Sequence, residues 1–517
     1  MNFHTLDLIV ILIYLAGTTL LGVYFGWRRT DSRSFMIARR NLPAWVIGIS
    51  IFGTYLSSNT FIGIPGKAFS ENWNSFVFSL SIPFAAWLAV KYFIPFYRFN
   101  GEISAYHHFE SRFGKWAKIY AVLCFLFTQF ARVGSILFGV SLTLSALIPV
   151  DLRIIILITG ILVIIYTTFG GMEAVIWTDV VQSFILTAGT LLILILIVLK
   201  TPGGLSEIIS LGIRYKKFSL GSLNVSFGSP TVWVIFLYGL FINLTNFGMD
   251  QNYVQRYHAA GSRQDAGKSV WLLATLYIPV SLLFFFIGTS LFGYTVNSPK
   301  FLTLFQDRMA NITSGLPGLP REEIISLLNQ PGTGDSILPL FISHVVPSGI
   351  SGLIISAILA AAMSTLSSCM NSSATIYLRD IHPNTPGNPV DEKVSIRILK
   401  LSTLVFGIIS ILIAWAMVGV KSLLDAWWIL SGIFSGGLLG LFLLGLLSKA
   451  KNPHAQASIF IGIFVIAWMT IPGLIPDHLH WLRSPFHANM IIVIGTLTIF
   501  ITGILISKIF STDAGKK

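Results

Sequence analysis

The chain has 517 residues, of which 54% are hydrophobic and only 11% charged, and its formal charge is +13. Apolar runs of bilayer-spanning length recur from end to end, which excludes a water-soluble domain. They call for α-helices, because the alternation of a barrel strand is missing.

Roughly thirteen spans are expected from hydropathy. They start near Leu6, Pro43, Trp73, Ala117, Arg153, Met172, Thr231, Ser269, Ser348, Arg397, Ser422, His454 and His487. The first run, Leu6 to Trp27, lacks a basic leader and an A-x-A cleavage site, so it is expected as a retained helix. Under this topology lysines and arginines divide about two to one between the two sides. The richer side carries Arg28, Arg29, Arg33, Arg39, Arg40, the stretches 112–118, 256–268 and 379–400, and the C-terminal lysines. That asymmetry places the N-terminus outside and the C-terminus in the cytoplasm, and it accounts for the positive balance without nucleic acid. The loops Thr201 to Pro230 and Ser298 to Gly334 are rich in turn residues and are expected outside.

A helix that only spans the bilayer has no need of polar residues at mid-depth, so the exceptions carry the information. The second span contains Gly53, Thr54, Tyr55, Leu56, Ser57, Ser58, Asn59 and Thr60, with Pro65-Gly66 following, and reads as a helix unwound in its middle. The fourth holds Arg132, too deep to snorkel, whose planar fork suits a carboxylate or a structural partner on a neighbouring helix. In the sixth, Asp179 follows the turn Gly170-Gly171; it is either a countercharge for a buried cation or a wet residue near the interface. The seventh contains Asn243 to Gly248 and then Asp250-Gln251, a second expected interruption. In the ninth, Ser364, Ser367 and Ser368 share one helix face, suited either to a hard cation or to close helix packing. Cys124 and Cys369 fall inside spans and read as small apolar residues.

The second and seventh spans stand five apart, an odd offset, so a repeat of five spans would cross the membrane in opposite directions. Interrupted helices at matching positions of inverted halves point to the central site of a transporter.

These motifs resemble the sodium:solute symporter family. The resemblance rests on Tyr166 to Gln182, on Asp250-Gln251 through Gln255-Arg256-Tyr257, on Ala360 to Asn371, and on the glycine-rich Ser435 to Gly440. It implies an all-α membrane protein with a LeuT-type core of two inverted five-helix repeats. Those would cover residues 43–200 and 231–447 of a single transporter domain, with 6–27 and 454–510 as peripheral helices. By the same resemblance, a general sodium site falls on Gly53, Leu56, Ala361, Ser364 and Thr365. A second falls on Asp179, Ser364, Ser367 and Ser368, which gives two sodium ions per solute. Similarity is greatest to the bacterial sialic acid branch, which implies Arg132 as a carboxylate clamp with Ser57 and Thr60 nearby. Tyr55 and Ser79 stand where that branch has threonine and glutamine, and Phe247 of the interrupted seventh span joins the solute set.

The expected function is therefore sodium-coupled import of an acidic sugar such as sialic acid, by alternating access across the cell membrane. A neutral sugar or small monocarboxylate is the runner-up. Among other classes, H-E-x-x-H, a Walker loop and a G-x-S-x-G elbow are missing, so no enzyme is expected. A passive channel would move solute without concentrating it, and a membrane sensor would carry a signalling domain after the last span.

Overall fold

The computed structural model describes residues 5–27, 31–145, 150–310, 328, 334–382, 391–420, 423–470 and 481–513. Among them eleven helices are long and apolar enough to cross a bilayer, and one bent pair supplies a twelfth span. The short apolar helix Leu152–Ile165 accounts for the thirteenth expected one.

In chain order these are α1 (Thr5–Trp27), the bent pair α2 (Ala44–Tyr55) and α3 (Asn59–Ser70), α4 (Trp73–Asn100) and α5 (Lys115–Ser145). The long α6 (Leu152–Lys200) follows, then α7 (Val232–Met249), the short α8 (Gln251–Ala259) and α9 (Arg263–Asn297). The chain closes with α10 (Ile350–Ile381), α11 (Glu392–Ala416), α12 (Leu424–Leu447), α13 (Asn452–Thr470) and α14 (Ala488–Phe510). Of the basic residues assigned to the cytoplasmic side, Arg28, Arg29, Lys516 and Lys517 lie outside the described residues. Within Thr201 to Pro230 the chain forms a helix, Gly204–Arg214. Most of Ser298 to Gly334 lies outside the described residues, apart from helix Pro299–Ala310, Leu328 and Gly334.

Three backbone features shape the core. α2 and α3 meet at 60°, because Leu56 leaves helical geometry at φ −85°, ψ 109°. α6 is a shorter apolar helix and a span joined at a kink, where Gly171 adopts φ 58°, ψ −177°, a region that disfavours any side chain. α7 ends at Asp250, with φ −73° and ψ 119°, whose carboxylate caps α8 by accepting from the Asn252 N–H at 2.9 Å.

That last break falls at the Asp250-Gln251 end of the expected interruption, whereas its first part, Asn243 to Gly248, is regular helix. Asn243 fits there because its amide donates to Gly239 O at 2.7 Å and Ser81 Oγ at 3.2 Å, and its oxygen accepts from the Tyr55 hydroxyl. With its polar groups satisfied, a buried amide need not break a helix.

Burial separates centre from rim. The spanning stretch of α10 is 94% buried, against 17% for α1. α10 packs on α6, α5, α11 and α2, so its serine face is enclosed by protein rather than lipid.

Candidate functional site

At the α2–α3 break a cavity opens between α2, α3, α4, α5, α7, α8, α9, α10 and α12. From the expected solute set, Tyr55, Ser57, Thr60, Ser79 and Arg132 all line it. Phe247 does not; it is fully buried behind the wall, its ring 6.4 Å from that of Tyr55. Sequence reasoning missed the aromatic lining, which includes Tyr253, Tyr277, Trp427 and Trp428, and it missed Asn246. Tyr277 stands edge-on to Tyr55 at 4.8 Å, so this end of the cavity is an aromatic box. Ser79 shares a 2.7 Å hydrogen bond with Ser281.

Arg132 is buried and its guanidinium lies 5.1 Å from the Trp427 ring. Nη1 donates to Asp250 Oδ2 at 2.9 Å, while Nη2 reaches Asn246 Oδ1 at only 3.4 Å. The Nη2 edge is therefore the more weakly engaged side of the fork. Asp250 bridges two tasks: Oδ1 caps α8 and Oδ2 neutralises Arg132.

Below the break, the end of α2 meets α10 and α6. Because the chain leaves helical geometry at Leu56, carbonyls of the last turn lose their intrahelical partners. Thr365 Oγ1 donates to one of them, Thr54 O, at 3.0 Å, and to Ala361 O of its own helix at 3.2 Å. Gly53 is so close to α6 that an added Cβ would lie 2.4 Å from Ser183 Oγ and 3.2 Å from Ser364 Oγ. The structure thus brings Gly53, Leu56, Ala361, Ser364 and Thr365 to one junction of a frayed helix end and a hydroxyl-bearing helix. Freed carbonyls and hydroxyls are the donors a hard cation such as sodium takes.

Asp179 sits beside this junction, fully buried. Ser364 Oγ donates to its Oδ1 at 2.6 Å, and Ser50 Oγ and Thr54 Oγ1 reach Oδ2 at 2.6 and 3.4 Å. Ser368 Oγ is 3.1 Å from Thr54 Oγ1, whereas Ser367 Oγ turns back to Ser364 O at 3.1 Å. Ser364 therefore touches both expected sodium positions.

The carboxylate also has a cationic partner that the topology reading put in a cytoplasmic loop. Arg256 of α8 is 0% exposed, and its Nη2 is 2.7 Å from Asp179 Oδ2. The same nitrogen donates to Thr54 Oγ1 at 2.6 Å and Ser368 Oγ at 2.7 Å; Nε donates to Ser50 Oγ at 2.9 Å and Nη1 to Asn252 O at 2.7 Å. Its place in the Gln255-Arg256-Tyr257 motif was the one signal that it belongs to the site. Removing Arg256 from the loop count leaves the charge asymmetry intact.

Comparison with known proteins agrees with this architecture. Residues 35–462 match the model of the sodium:solute symporter family. A sodium/sialic acid symporter of Proteus mirabilis is 32% identical over 99% of this chain and 96% of its own length. One from Aliivibrio fischeri is 30% identical over 99% and 95%. A solved structure of a Na+-coupled sialic acid symporter, substrate-bound, outward-open and described as having a novel Na+ site, superposes with a TM-score of 0.84. It is 30% identical and covers 98% of both chains. With the broken α2–α3 span and the α7–α8 junction meeting at a shared cavity and a family match along most of its length, the chain belongs to the sodium:solute symporter family and is a multi-pass, sodium-coupled membrane transporter.

Proposed function

We propose that the protein imports an acidic sugar such as sialic acid, with two sodium ions per solute, and that Arg132 holds the solute carboxylate. The observation that carries this reading is the position of Arg132: a buried guanidinium opening onto a cavity lined by hydroxyls, amides, aromatic rings and a few aliphatic side chains. Its Nη2 edge would take the carboxylate in a charge-assisted bond, with Ser57, Thr60 and Asn246 near the sugar hydroxyls. The similarity to two bacterial sodium/sialic acid symporters supports the same solute class.

In the proposed cycle, one sodium sits among Gly53, Leu56, Ala361, Ser364 and Thr365 and ties α2 to α10. The second sits at Asp179 with Ser364, Ser367 and Ser368. Sodium must bind the solute-competent state better than the other, since equal affinity would shift nothing. Residues 43–200 and 231–447 would move as two inverted repeats, with the N-terminus outside and the C-terminus in the cytoplasm, and no covalent step is involved.

Uptake of radiolabelled N-acetylneuraminic acid into proteoliposomes, with and without an inward sodium gradient, tests this reading. Sodium-driven accumulation that disappears in Arg132→Gln, in protein that still melts cooperatively, is the expected result. A second reading has its own support, because Asp250 already neutralises Arg132. If labelled acidic sugar is not taken up but a neutral sugar is, Arg132 is a structural partner of Asp250 and the solute is uncharged.

A further inference from the structure

The Asp179 site holds a cation already, and it belongs to the protein. Three oxygens from three different helices, Thr54 Oγ1 of α2, Asp179 Oδ2 of α6 and Ser368 Oγ of α10, lie 2.6 to 2.7 Å from the single nitrogen Nη2 of Arg256. Two of those groups, Asp179 and Ser368, are donors of the proposed second sodium position. A sodium ion and a guanidinium nitrogen cannot both occupy that space, and two positive charges within a few ångströms repel strongly in a buried setting. Resting on the reading that sodium binds at Asp179, we propose that Arg256 is an internal competitor of that ion, and that sodium binding displaces it and releases α8.

The release matters because α8 joins two sites. It is nine residues long. At its start Asp250 grips Arg132, which faces the solute cavity, and within its last turn Arg256 grips Asp179. An anionic solute on the Nη2 edge shares the Arg132 charge with Asp250 and so weakens that grip, while sodium competes with Arg256 for Asp179. Each ligand loosens one anchor of the same short helix, so the first to bind lowers the work left for the second, which is a coupling free energy between sites. Arg256 is therefore a coupling residue, acting through the helix and not by touching the solute.

Sodium-dependent thermal stabilisation of the purified full-length protein, without solute, reads this directly. The second-site response is the part that Asp179→Asn removes. A latch closed for about nine-tenths of the time weakens apparent sodium affinity about tenfold, so Arg256→Gln is expected to lower the half-saturating sodium concentration of that response by up to about tenfold. Arg256→Lys keeps the charge and loses the fork, and is expected to lower it by less. A half-saturation that is unchanged or raised in folded Arg256→Gln overturns the proposal; if that variant does not fold, the same outcome in Arg256→Lys overturns it. A wild-type response that survives Asp179→Asn intact also overturns it. Since no solute is present, failure of the acidic-sugar assignment leaves this result unaffected, whereas a protein with no sodium response at all contradicts the proposed function itself.

Discussion

Gly53 and Ser183 fill one space between them. The missing Cβ of Gly53 is replaced by the Ser183 hydroxyl, which donates to Asp179 O at 2.7 Å. Gly53→Ala is expected to destabilise the protein by about 1 to 3 kcal/mol through overpacking and to weaken sodium-dependent stabilisation. Ser183→Ala removes the clashing oxygen, so Gly53→Ala/Ser183→Ala is expected to recover part of the loss; thermal melts with and without sodium measure this non-additivity. At this scale the sequence was half legible. Ser364, Ser368 and Asp179 advertise themselves as polar groups at mid-depth. Ser50 does not, and Thr54 stands out only as part of the unwound stretch; a hydroxyl in a membrane helix ordinarily bonds its own backbone, and only the fold shows that these two face Asp179.

The short helix after Asp250 depends on one side chain for two functions. Asp250→Ala removes the cap, about 1 kcal/mol. It also leaves Arg132 buried without its partner, a further loss of about 3 to 5 kcal/mol. Asp250→Asn keeps an oxygen for the cap, so it is expected to melt well above Asp250→Ala and below wild type. Equal melting temperatures for the two would contradict the capping role. The break before α3 was readable because glycine, serine, threonine and asparagine cluster there between apolar flanks. The second was drawn too long, from Asn243 to Gln251, because Asn243 and Thr245 look as polar in sequence as Asp250, yet inside the helix they bond Gly239 O and Phe241 O. Outside the spans, Lys217 straps the end of α3 by donating to Glu71 O at 3.1 Å. Burial, opposed by the Glu71 carboxylate, pushes its ammonium down to about 7. An unfolded lysine keeps its proton to about pH 10.4, so the unfolded state binds more protons between about 7 and 10.4 and stability rises with pH across that window. Lys217→Met is expected to show a shallower rise in melting temperature from pH 7 to 9.

Across the whole molecule, the membrane class and the placement of most spans follow from hydropathy alone, because length and apolarity are local properties. The centre does not, because its pairings are long-range: Asp179 meets Arg256 from 77 residues away and Arg132 meets Asp250 from 118. Those two pairs have an electrical consequence. The four charges at the centre cancel, so the empty carrier can turn around without moving charge, and membrane voltage has little hold on that return step. With the proposed load of two sodium ions and one anionic solute, the same centre would carry a single net positive charge, worth about 2.3 kcal/mol per 100 mV of driving force. Solute uptake should therefore generate an inward current of one elementary charge per molecule. In Arg256→Gln the empty centre becomes negative, so transient currents should appear even without sodium as the unloaded carrier shuttles in the field.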